Sequence, residues 1–404
     1  MADTLTLPAV TNWSADPVLA WLIGDGRMIT NPVSFGTEFG RELLAAGAPV
    51  WRVRLGQRIL DPLIGAEGVI WRREQAMAEH TSVPHGYRDT PMYEGSPGQH
   101  VIETQRPYRQ RLDRLDPQRH HTLLFELAAE GATDYLCLPA VLTDGAVQLV
   151  AYATDRPGGF TDSDLARFDE VNRLLVPILE VITVRLTMSR LLETYLGRGI
   201  AHQVLAGAFR RGDVQFIKAA IMYADLRGYT ELTARLEPPE VLDALSDFFG
   251  AVVEAVEGAD GEVLKFMGDA VLALFPAPPD AGAEAACAAA MDAVTASLAG
   301  MAAVNAQRAE AGQETLDFGL TLDLGYVAYG NVGGPDRLDF TAIGSAVNKV
   351  SRMQELCKSL GEPVLMSHLV ARFCGGPVET CGVFALRGLP APVEVFRPAR
   401  AGAD

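Results

Sequence analysis

The stretch GEVLKFMGDAVLALFP, residues 261–276, places a lysine and an aspartate four positions apart around a Met-Gly step, between two apolar runs. Two strand-length apolar runs separated by a glycine predict a β-hairpin with Lys265 and Asp269 at its tip. In one interpretation the tip is a surface turn that carries a salt bridge. In the other it presents both side chains to a ligand, because turns and strand ends are where a sheet offers polar groups outside its core.

The hairpin belongs to a βαββαβ pattern that starts near residue 216. Strand FIKAAIMYADL, a helix, the hairpin, a second helix and strand LDFGLTLDLGYVAYG follow one another. Asp225 is the first polar side chain after a buried run, so it stands at a strand end. Asp225 and Asp269 are, in one interpretation, solvated surface groups. In the other they hold Mg²⁺ or Mn²⁺, because two neighbouring carboxylates both ionise at low cost only when cations lie between them.

Three sequence blocks occur around these aspartates: IMYADLRGYTELT (221–233), LKFMGDAVLALF (264–275) and RLDFTAIGSAVNKVSRM (337–353). Their order and spacing resemble those of the catalytic domain of class III nucleotidyl cyclases, across about residues 215–398. The stretches TYLGRGIAHQVLAGAFRRGDVQF and VFALRGLPAPVEVF are similar to flanks of bacterial members. The resemblance implies an α+β protein with a C-terminal ferredoxin-like (βαββαβ) cyclase domain.

The resemblance also implies a metal site. Asp225 and Asp269 match the two metal-binding aspartates of the family, and the backbone carbonyl of Leu226 matches a supporting ligand. We therefore expect two Mg²⁺ or Mn²⁺ ions in each active site. The sequence offers no convincing histidine base next to either aspartate, which fits a reaction that depends on metals and on positioning.

The same resemblance implies residues that bind the nucleotide. Lys265 and Thr341 match the pair that reads the purine, and Arg337 lies near the position of a phosphate-binding arginine. Asn348 matches the residue that orients the ribose, and Arg352 matches the one that stabilises the transition state. Asn348 and Arg352 are one helical turn apart on the same face. A guanidinium held there can meet the extra negative charge of a pentavalent phosphorus.

Hydrogen-bonding chemistry favours ATP over GTP. Adenine N1 accepts a hydrogen bond and its amino group donates one, whereas Lys265 can only donate and the Thr341 hydroxyl can accept. Guanine reverses both edges, so a guanine-selective pocket would carry a carboxylate in place of Lys265. We expect an adenylate cyclase, a phosphorus–oxygen lyase that converts ATP to 3′,5′-cyclic AMP and pyrophosphate. Guanylate cyclase activity and a non-catalytic nucleotide-binding regulator on the same fold are the alternatives.

The resemblance further implies a homodimer in which two catalytic domains pair head to tail. The metal aspartates would come from one chain, and Lys265, Thr341, Asn348 and Arg352 from the other. Lys265 and Asp269, near each other in the sequence, would then serve two different active sites.

Upstream, the stretch LCLPAVLTDGAVQLVAYATDRPGGFTDSDLARFDEV resembles the C-terminal portion of a GAF domain, a sensory module that binds small ligands or supports dimers. The resemblance covers roughly residues 35–185. We expect four segments: a GAF-like α/β regulatory domain with an N-terminal helical extension (1–160), a connecting signalling helix (161–197), a transducer linker (198–216) and the catalytic domain (217–398). The resemblance leaves two roles open for the first segment, binding of an unidentified small-molecule ligand and support of a dimer, and the sequence identifies no ligand.

Two further segments upstream of the catalytic domain have distinct patterns. Residues 161–197 carry a helical stripe formed by Val171, Leu175, Ile178, Ile182 and Leu192. The stripe fits either a core helix or a parallel helix pair that dimerises. Residues 76–105 are polar and rich in turn-forming residues, which predicts a long loop. Five of the seven histidines lie in or beside this loop without metal-ligand spacing, so we expect solvated side chains rather than a metal site.

Composition limits the classes of partner. A formal charge of −17 over 404 residues argues against nucleic acid as a partner, because a polyanion is bound through a broad basic surface. Five cysteines without framework spacing indicate reduced thiols. The sequence shows neither a signal-peptide pattern at its start nor a predicted membrane span, so we expect a cytoplasmic protein.

Overall fold

The computed structural model describes residues 13–208, 210, 212–278, 280, 282–335 and 337–399. The chain divides into two compact units, Met1–Leu191 and Leu192–Asp404. Three predicted segments extend outside the described residues: the predicted sensory domain with its first twelve residues, the predicted linker with residues 209 and 211, and the predicted catalytic domain with residues 279, 281 and 336.

The first unit contains one six-stranded sheet. Its strands are β1 (Arg52–Gln57), β2 (Ala66–Arg72), β3 (Glu79–Val83), β4 (Tyr108–Arg111), β5 (Asp134–Val141) and β6 (Val147–Thr154). They are arranged in the order β3-β2-β1-β6-β5-β4, and every neighbouring pair is antiparallel. The predicted Asp144-Gly145 turn joins β5 to β6: the Ala146 N–H donates to Asp144 Oδ1 at 2.9 Å, and Gly145 has a φ of 82°.

Helices cover both faces of this sheet. They are α1 (Asp16–Ile23), α2 (Pro32–Ala45), α3 (Pro97–Thr104), α4 (Thr122–Ala129) and α5 (Asp162–Leu196). On one face, Phe39 of α2 and Leu175 of α5 share a buried cluster with Val53 and Tyr152. On the other face, side chains of α3 and α4 share a cluster with Cys137 and its neighbours. The sheet therefore lies between two helical layers.

The predicted loop over residues 76–105 is wrong in part, because this segment contains β3, a 3₁₀ turn (Tyr87–Asp89) and α3. β3 is an edge strand with mostly exposed side chains, so it lacks the apolar alternation of a half-buried strand. The start of α3 is fixed by the Ser96 hydroxyl, which accepts from the Gln99 N–H at 3.0 Å. α3 is only eight residues long and buries only Pro97 and Val101, which is too short a pattern to predict a helix within a polar segment.

The long helix α5 begins in the first unit and continues past Leu191. Its first half belongs to the core, as the core-helix interpretation predicts: Phe168, Leu175 and Leu179 are fully buried. Val184, in contrast, is 60% exposed. A role of the second half in dimerisation stays a prediction.

The second unit contains an eight-stranded sheet. Its strands are β7 (Val214–Leu226), β8 (Glu262–Met267), β9 (Ala270–Pro276), β10 (Phe318–Gly333), β11 (Leu338–Ile343), β12 (Val364–Ser367), β13 (Val378–Phe384) and β14 (Val393–Pro398). The main path is β13-β14-β12-β10-β7-β9-β8, and β11 pairs with β10. Its helices are α6 (Arg198–Leu205), α7 (Tyr229–Thr233), α8 (Pro238–Gly258), α9 (Gly282–Glu310), α10 (Ser345–Leu360) and α11 (His368–Phe373). The predicted βαββαβ order runs from β7 through α8, β8, β9 and α9 to β10.

Alternate residues of β7 face two different cores. Met222 and its even-numbered neighbours pack against α8 and α9, while Ile221 packs in a cluster with Ile200 of α6 and Val350 of α10. This period of two, buried on both sides, explains why the strand reads as one continuous apolar run. The run ends at Asp225, where the side chain is only partly buried.

In the described ranges one helix, α9, is long and apolar enough to cross a membrane by length and composition alone. One side of α9, including Ala290, Val294 and Met301, is buried in the core of the second unit. Other alanines of α9, such as Ala288 and Ala299, are exposed.

Candidate active site

Asp225 and Asp269 meet at one end of the second sheet. Asp225 is the penultimate residue of β7, and Asp269 lies in the two-residue turn between β8 and β9. The register pairs Asp225 with Ala270, and the Leu226 N–H donates to the Asp269 carbonyl at 3.1 Å. Gly268 supplies the positive φ, 69°, that the tight turn requires. The pairing of β7 with β9 therefore brings the two carboxylates to one place.

The Asp225 carboxyl is partly buried and lies near that of Asp269. Burial and, secondarily, the neighbouring Asp269 carboxyl raise the pKa of Asp225 from 3.8 to about 7. Burial also raises the pKa of Tyr223, and the two nearby carboxylates raise it further. Because the protein alone disfavours two negative charges here, a bound cation would stabilise the doubly ionised pair.

The donor atoms at this end of the sheet are all oxygens: the carboxylates of Asp225 and Asp269 and the adjacent backbone carbonyl of Leu226. Hard oxygen donors suit Mg²⁺ or Mn²⁺. Across the described ranges, no group of three or more His, Cys, Asp and Glu side chains could hold a metal ion. Mg²⁺ commonly binds through one or two carboxylates plus substrate phosphates and water, so a two-carboxylate set is sufficient.

Lys265 forms an ion pair, and its partner is not Asp269. Its Nζ lies 2.8 Å from Oδ2 of Asp339 on β11. Asp339 and Thr341 are two residues apart on β11 and therefore share one face of that strand. Thr341, the other residue expected to read the purine, therefore lies on the same face of β11 as the partner of Lys265. The interpretation of the hairpin tip as a simple Lys265–Asp269 salt bridge is wrong.

A cleft of about 560 Å³ adjoins this ion pair. Lys265, Asp339 and Arg337 line it, together with Phe266 and Gly334. The Gly334 N–H donates to the Arg337 carbonyl at 2.9 Å, which closes the turn between β10 and β11. The Arg337 side chain is exposed, so the predicted phosphate-binding arginine lies in the same cleft as Lys265.

Helix α10 presents Asn348 and Arg352 as exposed side chains. Its opposite side is fixed to the sheet by polar contacts. Lys349 Nζ lies 2.8 Å from the buried carboxylate of Asp323, and Gln354 Nε2 donates to one carbonyl of β7 at 3.2 Å and one of β10 at 2.6 Å. These contacts hold the helix so that the two predicted catalytic side chains point away from the core.

The predicted site residues form three groups within one chain. Asp225, Leu226 and Asp269 are one group, Lys265 with Thr341 and Arg337 the second, and Asn348 with Arg352 the third. Over the residues that the structure covers, no hydrogen bond or ion pair joins Asn348 or Arg352 to either aspartate. One chain therefore holds these groups without contacts between the helix and the carboxylates.

Three residues that help to position this site were not predicted from the sequence. Asp339 pairs with Lys265, Asp323 anchors Lys349, and Gln354 bonds two strands. Asp339 lies two residues before Thr341 in the sequence, and this spacing, which places both on one face of a strand, could have indicated its role. No local pattern marks the other two contacts, because each spans more than twenty residues of chain and depends on how α10 packs.

Comparison with known proteins places this geometry in a family. Residues 214–375 match the model of the adenylate and guanylate cyclase catalytic domain. An adenylate cyclase of Anabaena cylindrica is 32% identical over 178 residues, which cover 44% of this chain and 34% of that protein. Adenylate cyclase 1 of Rhizobium meliloti is 28% identical over 298 residues, which cover 70% of this chain and 44% of that protein.

Among solved structures, the adenylyl cyclase CyaB from P. aeruginosa is 28% identical, with a TM-score of 0.43 over 47% of this chain and 98% of that chain. The guanylyl cyclase Cya2 is 24% identical, with a TM-score of 0.41 over 47% of this chain and 95% of that chain. The chain spans less than half the length of the two curated relatives, 34% and 44%. The matched range contains β7, the hairpin with Asp269, and α10. Residues 214–375 therefore form a class III catalytic domain of the adenylate and guanylate cyclase family.

Proposed function

We propose that the protein is an adenylate cyclase, which converts ATP to 3′,5′-cyclic AMP and pyrophosphate. The observation that carries the proposal is the pair of neighbouring carboxylates, Asp225 and Asp269, that strand pairing brings together at the end of the β7–β9 ladder of a cyclase catalytic domain. Two surface aspartates that only contact solvent would lie apart, because placing two like charges side by side costs free energy.

Asp225, Asp269 and the Leu226 carbonyl would hold the divalent cations, Mg²⁺ or Mn²⁺, that the family generally requires. When bound, such ions supply Lewis acidity at the phosphate oxygens and lower the pKa of the attacking 3′-hydroxyl. The carboxylates of the chain fix where the triphosphate lies relative to the ribose. Because the pKa of Asp225 is raised to about 7, loading of the site with cations would release a proton as both carboxyl groups ionise.

The other predicted residues would bind and orient ATP. Lys265 has three donors, so it can keep Asp339 and still donate to adenine N1. The Thr341 hydroxyl would accept from the 6-amino group, and Asn348 would orient the ribose. Arg352 would bind the α-phosphate as its charge increases in the transition state, when a bidentate guanidinium stabilises it most.

The account requires a homodimer. Three apolar side chains on the second sheet are strongly exposed: Phe216 is 79% exposed, Tyr326 70% and Ile343 53%. Phe216 and Ile343 both stand opposite Ala328, two residues from Tyr326, so the three lie on one face. A patch of this kind favours a protein partner, and a second copy would bring Lys265, Thr341, Asn348 and Arg352 to the partner's aspartates.

The first unit would serve as a GAF-like sensory domain that regulates the cyclase. An antiparallel sheet between two helical layers, followed by the long helix α5, supports this assignment. A cytoplasmic location is proposed on two grounds. ATP is a cytoplasmic substrate, and all five cysteines are free thiols, which a reducing compartment favours.

One observation favours a second candidate, guanylate cyclase. The Asp339 carboxylate stands beside Lys265, and a carboxylate can accept from guanine N1–H. Purified protein incubated separately with ATP and GTP, with Mg²⁺ or Mn²⁺, decides between them. We expect cyclic AMP to exceed cyclic GMP, and Asp269→Ala to make neither. Cyclic GMP in excess would establish the second candidate, and no cyclic nucleotide under any condition would support a non-catalytic regulator.

A further inference from the structure

The sheet of the first unit carries buried cations on one face. Arg52 and Arg54 alternate along β1, and Arg72 stands opposite Arg52 on β2. Residues opposite each other in an antiparallel pair point to the same side, so the three arginines share a face. Arg52 is also opposite Ala153, which is opposite Tyr135. Tyr135 therefore lies on that face too.

Arg52 has lost almost all contact with water, at 5% exposed. Among the residues that the structure describes, no hydrogen bond or ion pair joins its guanidinium to an acceptor, and the Nε atoms of Arg52 and Arg54 are both buried without a partner. Arg72 differs, because Glu79 lies 3.5 Å and Glu130 3.8 Å from it. In the described part of the chain, no carboxylate lies within ion-pair distance of Arg52 or Arg54, and the charge of Glu130 acts on Arg52 only from farther away.

A buried guanidinium without a partner destabilises a fold, because it loses its hydration free energy and forms no hydrogen bond or ion pair that compensates for the loss. Burial is the main reason that the pKa of Arg52 falls to about 10; the charges of Arg54 and Arg72 also lower this pKa, whereas Tyr135 and Glu130 raise it. Apolar side chains already fill the neighbouring positions: Cys137, Ala151 and Leu124 of α4 belong to one buried cluster. A purely structural position on this face would therefore be occupied more stably by an aliphatic residue.

We propose that Arg52 and Arg54, with the Tyr135 hydroxyl, bind the oxyanion group of a small ligand, a carboxylate or a phosphoryl group. Guanidinium forks match the planar geometry of both groups and bind them through paired hydrogen bonds. Tyr135 is buried in the same cluster as Cys137, so its hydroxyl adds a third polar group on this face. The site lies wholly within the first unit, so it does not depend on the proposed cyclase activity.

Thermal unfolding of the full chain tests this site. Wild type, Arg52→Met and Arg58→Met are compared in sodium chloride, sodium acetate and sodium phosphate at equal ionic strength. Arg58 is the matched control, because it is exposed and immediately follows β1. Phosphate stabilises most proteins without a specific site, and that effect is common to all three proteins.

We expect phosphate or acetate to raise the melting temperature of wild type and Arg58→Met above that of Arg52→Met, by about 5 °C at a hundredfold excess over the dissociation constant. A shift with phosphate alone identifies a phosphoryl ligand, and one with acetate alone identifies a carboxylate. Equal shifts in wild type and Arg52→Met, or no shift in wild type, overturn the proposal. If Arg52→Met does not fold, Arg54→Met replaces it under the same criteria, because Arg54 is less buried.

Discussion

The two units place charged residues on their sheets in opposite ways. In the second unit, Asp225 and Asp269 stand where strands end and remain partly exposed. In the first unit, Arg52 stands in the middle of a sheet face and is 5% exposed. Strand ends and turns are open to a large substrate that arrives with metals, whereas a face between strands and helices admits only a small ligand. The two proposed sites therefore differ in burial: the catalytic site of the second unit is partly exposed, and the ligand-binding site of the first unit is buried.

The charged clusters of the two units also differ in the sign of their charge. The second unit brings together two carboxylates, which call for cations, and the first brings together two guanidinium groups, which call for an oxyanion. In each unit, strand pairing or alternation along a strand makes the like charges neighbours. Each cluster therefore predicts a ligand of opposite charge.

The largest expected effect is that of removing one carboxylate. Asp269→Ala should reduce cyclic AMP production to well below a tenth of wild type in saturating Mn²⁺, because the cations lose half of their carboxylate ligands; each tenfold corresponds to ~1.4 kcal/mol of barrier. Turnover and melting temperature are measured together. Asp243→Ala, an exposed aspartate on α8, is the matched control and should keep full activity. Retention of more than a tenth by folded Asp269→Ala would falsify the two-metal assignment.

A smaller change is expected in substrate preference. The double substitution Lys265→Glu and Thr341→Cys exchanges a donor for an acceptor at the purine edge. The ratio of kcat/KM for GTP to that for ATP should rise about tenfold or more, since a missing or reversed hydrogen bond discriminates at that level. Both nucleotides are assayed on the same preparation, so that a general loss of activity cancels. An unchanged ratio would show that these residues do not contact the base.

Asp339→Asn should have a still smaller effect, confined to binding. The amide keeps the shape of the carboxylate and removes the charge that holds Lys265 at 2.8 Å. Because the pair is partly exposed, we expect KM for ATP to rise about two- to fivefold with kcat little changed. Asp339→Glu, which keeps the charge, should retain most of the wild-type KM. Equal KM values in wild type and Asp339→Asn would remove Asp339 from the site.

The pH dependence of stability tests the carboxylate pair without activity. The pKa of Asp225 is about 7 in the folded protein against 3.8 ordinarily, so in EDTA the folded state binds more protons than the unfolded state between about pH 4 and 7. Stability should therefore fall as pH rises through this window. Asp225→Asn removes this loss and should be more stable than wild type at pH 8 by about 1 kcal/mol, after allowance for solvent screening. Calorimetry that finds the same pH slope in both proteins would contradict the coupling.

The catalytic unit could be predicted from sequence in more detail than the first. Its strands end at polar residues that the chemistry requires, so Asp225 and Asp269 were placed correctly at a strand end and a hairpin tip. The Lys265–Asp339 pair was not predicted, because it joins residues 74 positions apart through the approach of β8 to β11. Arg52 and Arg54 were not singled out either. An arginine in an alternating strand resembles any solvated residue until the helices that cover its face are known.

The central claim is that each active site is shared between two chains, and complementation tests it most directly. Asp269→Ala and Arg352→Ala, each nearly inactive alone, are co-expressed with different tags and the mixed dimer is purified. In a mixed dimer one site carries both lesions and the other carries neither. Random pairing makes half of the dimers mixed, so the unfractionated mixture should recover up to about a quarter of wild-type activity. Tagged heterodimers that form and stay inactive would place the whole site within one chain and contradict the account.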